Sequence, residues 1–262
     1  MRIPTFLRNL WPTPNPSTTV YWAVENTYLA TLGGLMLAVE APEPAWKHYF
    51  DKQNGDHLKC PAFSVGLHNT YILRAPMDIR IEYDRSNPLD KQLRIITPWM
   101  ERHRAEQLVM PRFKQTAPDS REIMSLVFFP FLFYADTPMY MEFTPPFLEW
   151  EKDPTWRTMC GGFDIGRWRR HLEFPIELRD KVGTINIKRG QILAYVRFFP
   201  QETPEGVHVR VKLVPREMTD VLRRETALNG ALKNFVQKCP LHVLYKIREK
   251  YNRSHFGVRI RK

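Results

Sequence analysis

Apolar and polar residues alternate along several stretches of this chain, which is the pattern of half-buried β-strands. Residues 77–84 alternate Met, Ile, Ile and Tyr with four charged residues, and residues 207–213 alternate Val and Leu with His, Arg and Lys. Residues 125–135 and 138–147 are almost continuously apolar and predict buried strands. The 22 prolines disfavour long helices. The pattern therefore predicts a mainly β fold, and no internal repeat is evident.

A helical pattern is predicted only after Pro215. Thr219-Asp220 is a suitable N-cap, and the segment after it carries an approximate apolar stripe of Val221, Leu222, Leu228, Leu232, Phe235 and Val236. A second helical segment follows Pro240. Residues 40–60 are instead predicted to form a loop with a turn at Asn54-Gly55, and residues 99–122 are predicted to form an exposed excursion.

These patterns divide the chain into three parts. Residues 1–18 contain four prolines and are predicted to form an extended, Pro-rich N-terminal arm. Residues 19–215 are predicted to form a β-rich domain. Residues 216–262 are predicted to form a basic, helical C-terminal region.

Positive charge is concentrated at the C-terminal end. The chain of 262 residues has a formal net charge of +11, and residues 219–262 hold eleven Lys/Arg against three Asp/Glu, which leaves +8 in the final 44 residues. Lys and Arg neutralise phosphates in a salt-sensitive manner, so this region is predicted to bind DNA or an acidic partner, although a merely solvated helix end has the same composition. The predicted binding residues are Arg223, Arg224, Lys246, Arg248, Lys250, Arg253, Arg259, Arg261 and Lys262.

Several functional classes are disfavoured by the sequence. Its three cysteines are widely spaced and form no Cys-x-x-Cys pair, which argues against a disulfide framework and against a cysteine-based zinc site. No apolar stretch approaches the roughly 20 residues of a membrane span, and the N-terminus does not resemble a signal peptide. Ser/His/Asp nucleophile elbows, HExxH, P-loop and GxGxxG motifs are also absent from the sequence. We therefore expect no cofactor and no membrane partner.

Residues 161–198 carry the most specific motif. Gly161, Phe163 and Asp164 are followed by an aromatic-Arg pair, an alternating strand, and the segment GQILAYVRF that begins at Gly190. This layout resembles the β-clip fold of the dUTPase and dCTP-deaminase families. The resemblance implies a β-clip or sandwich-like sheet domain with its β-clip-like part at about residues 158–200.

In those families the aspartate of this motif orients the attacking water, so the resemblance makes Asp164 the candidate catalytic base. The sequence departs from the family pattern at Arg170, where a glycine is usual, and at Tyr195, where a glutamine is usual. The phosphate-binding segments of the family are also absent. The alternative interpretation is that Asp164 hydrogen-bonds to its own turn and that the glycines supply backbone freedom.

A second candidate site is His171-Leu-Glu173, which has the His-x-acid spacing of a non-haem iron site. On a strand the two side chains would share a face, and His208 or His242 would complete the set of ligands. The alternative is a solvated strand face. Trp150, Trp156 and Trp168 likewise have two interpretations, as stacking surfaces for bases or as core residues.

Longer segments between residues 58 and 200 give a second resemblance. The segments LHNTYILRAPMDIRI, LVFFPFLFYADTPMYMEFTPPF, GGFDIGRWRRHLEF and IKRGQILAYVRF look like an uncharacterised family of tailed-bacteriophage proteins that is widespread in marine phages. This implies a phage origin, in the virion or the host cytoplasm.

We therefore expect a non-enzymatic virion structural or assembly component that binds itself or other phage structural proteins. The alternatives are a dUTPase-like or iron enzyme and a nucleic-acid-binding or host-directed regulator.

Overall fold

The computed structural model describes most of the β-rich body and both C-terminal helices. The described residues are 16–24, 39–52, 60, 64, 66–84, 86–87, 93–96, 109–111, 122–126, 131–149, 156–178, 180, 182–201, 209–235 and 241–255. The predicted mainly β fold is confirmed, with several antiparallel sheets and with two helices late in the chain.

The strands are β1 Ser17–Val24, β2 Glu43–Pro44, β3 Thr70–Arg74, β4 Ile79–Asp84, β5 Leu93–Ile96, β6 Val109–Pro111, β7 Glu122–Leu126, β8 Phe131–Tyr134, β9 Met139–Thr144, β10 Trp156–Thr158, β11 Gly161–Asp164, β12 Phe174–Leu178, β13 Val182–Ile187, β14 Ile192–Pro200 and β15 Arg210–Pro215. The helices are α1 Ala45–Lys52, α2 Asp220–Phe235 and α3 Leu241–His255.

Four sheets are formed by these strands. Their strand orders are β15-β1-β8, β10-β12-β7-β6, β11-β9-β14-β3-β2 and β13-β4-β5. Strands β1 and β15 are parallel, and the other pairs are antiparallel. Strand β1 begins at Ser17, inside the predicted arm 1–18, while residues 1–15 of that arm lie outside the described residues.

Two similar corners carry the chain of the body from one sheet into another. Strand β3 passes through a corner at 75–78 into β4, and β8 passes through a corner at 135–138 into β9. Strands β4 and β9 have the same alternation of buried and less buried positions. No repeat was evident in the sequence because the two segments share a conformation while sharing few residues.

Each of these corners is hydrogen-bonded to a second turn of the chain. At the first corner Ala75 donates its N–H to the carbonyl of Gln191 (2.9 Å) and accepts from the N–H of Gly190 (2.8 Å). At the second corner Ala135 donates its N–H to the carbonyl of Ile165 (3.4 Å), and the N–H of Ile165 donates to the carbonyl of Met139 (2.8 Å). The predicted succession of strand, glycine turn and strand in residues 158–200 is therefore present, and one of its turns meets each corner.

Strand β14 joins the two segments, because it pairs with β3 on one side and with β9 on the other. Leu193, Ala194, Val196 and Phe198 of β14 are buried in the main hydrophobic cluster, whereas Tyr195 is buried in a second cluster with Tyr49 of α1. Aromatic rings fill much of that cluster, among them Phe133 and Phe198, whose ring centroids are 5.6 Å apart. Burying a side chain of this size stabilises the fold by about 1.5–3 kcal/mol.

Helix α1 contradicts two predictions, the loop over residues 40–60 and the absence of helix before Pro215. Ala45, His48 and Tyr49 are buried at a spacing of three and four residues, which places them on one helical face. The short length of the segment and the prolines before it hid this periodicity. The predicted turn at Asn54-Gly55 lies outside the described residues.

The predicted excursion over residues 99–122 is also partly wrong. Val109–Pro111 pairs with β7, whose first residue is Glu122. Sheet pairing between distant segments supplies these strands, and a local pattern does not reveal it. No helix within the described part of the chain has the length and apolarity needed to cross a membrane.

The start of α2 is confirmed, and its predicted apolar stripe is tested only at Val221, Leu222 and Leu228, because the positions of the Leu232, Phe235 and Val236 side chains lie outside the described part of the chain. Thr219 caps the helix, because its Oγ1 accepts the N–H of Leu222 at 3.2 Å. Leu222 is buried, but Val221 is 74% exposed and Leu228 is 36% exposed. The face that packs on the body instead carries Thr226 and Asn229, each only 2% exposed.

Candidate functional site

Asp164 ends strand β11 and caps the turn that follows it. Its Oδ1 accepts the backbone N–H groups of Gly166 (2.9 Å) and Arg167 (3.1 Å). Its carbonyl oxygen accepts the N–H of Trp168 at 2.8 Å. Asp164 is the residue that closes this turn, as the alternative interpretation of the motif expects.

The other oxygen of the carboxylate is also engaged. Oδ2 accepts from the Gln201 side chain (3.3 Å) and lies 3.6 Å from the guanidinium of Arg167. Asp164 is 4% exposed, and its backbone N–H donates to the hydroxyl of Tyr245 in α3 at 3.0 Å. The buried carboxylate therefore contributes hydrogen bonds to its own turn and to Gln201, which stabilise this corner of the fold.

The turn after Asp164 is where the two C-terminal helices meet the body. Asn229 of α2 donates to the carbonyl of Arg169 at 2.6 Å, and the ring of Tyr245 in α3 lies 6.0 Å from the ring of Trp168. Trp168 is 1% exposed, so it is a core residue and does not present a surface for bases.

Glu225 is the charged centre of this contact. One carboxylate oxygen accepts from Arg169 at 3.1 Å, and the other accepts from Arg248. Burial lowers the pKa of Arg248 from its ordinary value, and the carboxylate of Glu225 opposes that shift. Arg248 is 7% exposed. It is therefore a docking residue of α3, and the prediction that it belongs to an exposed basic surface is corrected.

The remaining predicted basic residues divide by exposure. Arg224, Lys246 and Lys250 are exposed, and Arg223 is half-buried and forms an ion pair with Asp220 at 2.6 Å. Arg253 lies in the last turns of α3, while Arg259, Arg261 and Lys262 lie outside the described residues.

The predicted iron ligands His171 and Glu173 are two residues apart in the chain. Among the described residues, no third ligand completes a metal site with them. His171 is half-buried in a bridge to Leu132, and Glu173 forms an ion pair with Arg170 at 3.4 Å. His242 is exposed on α3, and His208 lies outside the described residues. No group of three or more His, Cys, Asp or Glu that could hold a metal occurs among the residues with described positions.

The strand face shared by these residues is also less solvated than expected. Glu177, which continues the spacing of His171 and Glu173 along the chain, is 5% exposed and accepts from the Nε of Arg157. Arg157 lies beside it because strand β10 pairs with β12 at this position. An alternating pattern shows which residues share a face, and it does not show which neighbour covers that face.

A buried tyrosine pair was missed by the sequence interpretation. The Tyr49 hydroxyl donates to Glu149 at 2.8 Å and is also hydrogen-bonded to the hydroxyl of Tyr195. Because Tyr49 donates to the carboxylate, its oxygen is left to accept from Tyr195. Burial is the main cause that raises the pKa of Tyr195 to about 12 and raises that of Tyr49 further. Tyr195 is the residue that replaces the usual glutamine of the motif.

Arg74 anchors α1 beside this pair. Its guanidinium donates to Glu43 (2.9 Å), to the Nδ1 of His48 (3.0 Å) and to the carbonyl of Gly190 (3.0 Å), and lies 3.5 Å from Glu40. A guanidinium has no acceptor, so Nδ1 of His48 must accept this hydrogen bond. The network holds α1 against the Gly190 corner. The helical spacing of Ala45, His48 and Tyr49 was the only sequence signal for it.

No family model and no curated protein matches this chain.

Proposed function

We propose that this protein acts by binding and is a structural or assembly component of a tailed-phage particle. The resemblance of residues 58–200 to phage proteins supports the origin, in the virion or the host cytoplasm. The geometry of the Asp164 turn supports a role without catalysis.

The observation that carries the proposal is the environment of Asp164. The β-clip resemblance makes it the candidate catalytic base, and its carboxylate oxygens accept hydrogen bonds from its own turn and from Gln201. The same residue binds Tyr245 through its backbone. These contacts stabilise the turn and the docking of α3, which supports a structural role.

The scaffold suits a particle component. The two corners of the body are fixed by backbone hydrogen bonds, and strands β3 and β9 both pair with β14. The docked helices then present exposed Arg224 and Lys246 beside the exposed apolar side chains of Val221 and Ile247. Mixed apolar and cationic surfaces of this kind fit a neighbouring subunit, either a second copy of this chain or another phage structural protein.

Mass spectrometry of purified mature particles and of assembly intermediates from the encoding virus tests the proposal. We expect peptides of this chain at a fixed stoichiometry to the major head or tail proteins in at least one of the two fractions. A washed particle sample spiked with the recombinant protein before purification controls for adsorption. Absence from both fractions, with the protein abundant in infected cells, would overturn the proposal.

A further inference from the structure

The outward face of the sheet β15-β1-β8 is partly open. Odd-numbered residues of β1 share this face with Leu132 and Tyr134 of β8 and with the even-numbered residues of β15. Helix α2 covers one end, where Leu222 packs on Ala23 and Leu132. The other end, towards Ser17 and Arg210, is exposed.

Two tyrosines and two arginines form a continuous stack in the middle of this face. The guanidinium of Arg216 lies 4.9 Å from the ring centroid of Tyr21, and that of Arg169 lies 5.1 Å from the ring centroid of Tyr134. The two tyrosine rings are 5.2 Å apart. Arg169 is the inner end of the stack, because Glu225 holds it against α2. Arg216 is the outer end and is exposed.

Exposed cations continue from the stack along β15. Arg210, Lys212 and Arg216 are all exposed, and they occupy alternate positions of one face. Alternate strand residues lie about 6.6 Å apart, which is comparable to the separation of consecutive phosphates in an extended single strand. Within the described part of the chain, none of the three forms an ion pair. The acidic side chains that contact the stack are Glu225 and Asp136, which lie 3.1 Å and 3.4 Å from Arg169 at its inner end.

We propose that this face, defined by Tyr21, Tyr134, Arg210, Lys212 and Arg216, binds single-stranded nucleic acid. Arg210 and Lys212 contact successive phosphates, and an unpaired base stacks on the outer plane of the Arg216 guanidinium, which Tyr21 supports from below. A single strand is favoured over a duplex because bases are available for stacking only when they are unpaired. The proposal extends beyond the particle role and holds or fails independently of it.

The same cations have a second physical explanation. Strand β15 is at the edge of its sheet, and charged side chains on an edge strand discourage pairing with another chain. Such charges need no ligand. A binding experiment separates the two explanations, because only a nucleic-acid surface gives a specific contribution from the planar group at position 216.

Fluorescence anisotropy with labelled 20-nucleotide oligo-dT and oligo-U, measured across a series of salt concentrations, tests this face. Each single-strand phosphate contact contributes a slope of about −0.7 in log K against log salt. The variant R210Q/K212Q should therefore weaken binding and make the slope shallower by about 1.4. The matched control R224Q/K250Q removes the same charge from α2 and α3, and it should leave both affinity and slope unchanged.

The variant R216K isolates stacking from charge. It keeps the positive charge and therefore the salt slope, but it loses the planar group, so affinity should fall roughly fivefold to a hundredfold. Circular dichroism spectra and melting temperatures confirm that each variant is folded. Comparing oligo-dT with oligo-U then shows which sugar is preferred.

Several results would overturn the proposal. The first is that the wild-type protein shows no measurable binding at low salt, and the second is that the control R224Q/K250Q loses as much binding as R210Q/K212Q. The others are that R216K keeps the wild-type affinity, or that a duplex is bound as tightly as the single strand. The first result would indicate that the cations of β15 serve to prevent pairing of the sheet edge with another chain. Equal loss in the control would indicate that the C-terminal helices bind the nucleic acid.

Discussion

Replacing Glu225 by glutamine should undock the C-terminal helices from the body. The carboxylate is the counter-ion of both Arg169 and Arg248, and the side chain of Arg248 is only 9% exposed. Removing one partner of a buried ion pair costs about 3–5 kcal/mol, because an uncompensated charge remains buried. We expect about 3 kcal/mol for E225Q, since Glu225 and Arg169 keep 23% and 25% exposure and water screens part of the loss.

Urea unfolding followed by circular dichroism measures this cost, and hydrogen exchange locates it. The free energy of unfolding should fall in E225Q, and amides of α2 and α3 should exchange faster than those of β14. The control E217Q removes the same charge from an exposed position near the start of α2, so it should change stability by less than about 0.5 kcal/mol.

A double-mutant cycle with R248M tests the reason for the loss. Removing Arg248 together with the charge of Glu225 eliminates the buried unpaired cation, so E225Q/R248M should lose less stability than the sum of the single variants. Additive losses, or an E225Q protein as stable as E217Q, would refute the view that this ion pair fixes the helices.

Three further predictions concern the body of the protein. Burial raises the pKa of Tyr195 to about 12 while the unfolded side chain titrates near 10, so the unfolded state loses its proton first. The stability that Tyr195 contributes through this shift is therefore present below pH 10 and falls by about 3 kcal/mol between pH 10 and 12. Because the pKa of Tyr49 is raised as well, Y195F should make the fall shallower in pH-dependent urea unfolding without abolishing it. Gly166→Ala should lower the melting temperature by several degrees, because the new Cβ would overlap the backbone oxygen of Thr137. The control Gly161→Ala should melt as the wild type does, because its Cβ would meet nothing within 4 Å. Asn69→Ala should lower the free energy of unfolding by about 2 kcal/mol in urea unfolding. Asn69 has a φ of 56°, and its side chain forms hydrogen bonds of 2.8 Å with the backbone of Val209 and of Val211. Wild-type stability in this variant would contradict the role of Asn69 in holding β15.

The strands of the body were the part of the fold that the sequence could predict. Ile79, Ile81 and Tyr83 are buried while Arg80 is exposed, as their alternation predicts. This pattern is local and is determined by one buried face. The pairing of β6 with β7 is not local, and the sequence contained no sign of it.

The docking of the helices could not be predicted because it depends on polar residues. Thr226 and Asn229 are buried on the face of α2 that contacts the body, while Val221 is exposed. Hydrophobic periodicity therefore identified Leu222 as buried, was wrong for Val221, and gave no indication of the two buried polar residues. The buried polar groups find partners in distant parts of the chain, such as the carbonyl of Arg169, and only the folded structure brings these together.

The role of Asp164 was left open by the sequence for a related reason. A Gly-x-Phe-Asp motif fits both a catalytic turn and a self-capped turn, and the distinction lies in what surrounds the carboxylate. Tyr245 and Gln201, which complete that environment, are far away in the sequence. Neither residue belongs to any motif.

The most direct test of a structural Asp164 is pyrophosphate release from dUTP and dCTP with Mg²⁺, measured for the wild-type protein and for Asp164→Asn. In the variant an amide NH₂ would face the donors of Arg167 and Gln201, which should cost about 1–3 kcal/mol of stability. We predict no release above the protein-free rate for either protein and a lower melting temperature for Asp164→Asn. Release by the wild-type protein that Asp164→Asn abolishes while remaining folded would contradict the account.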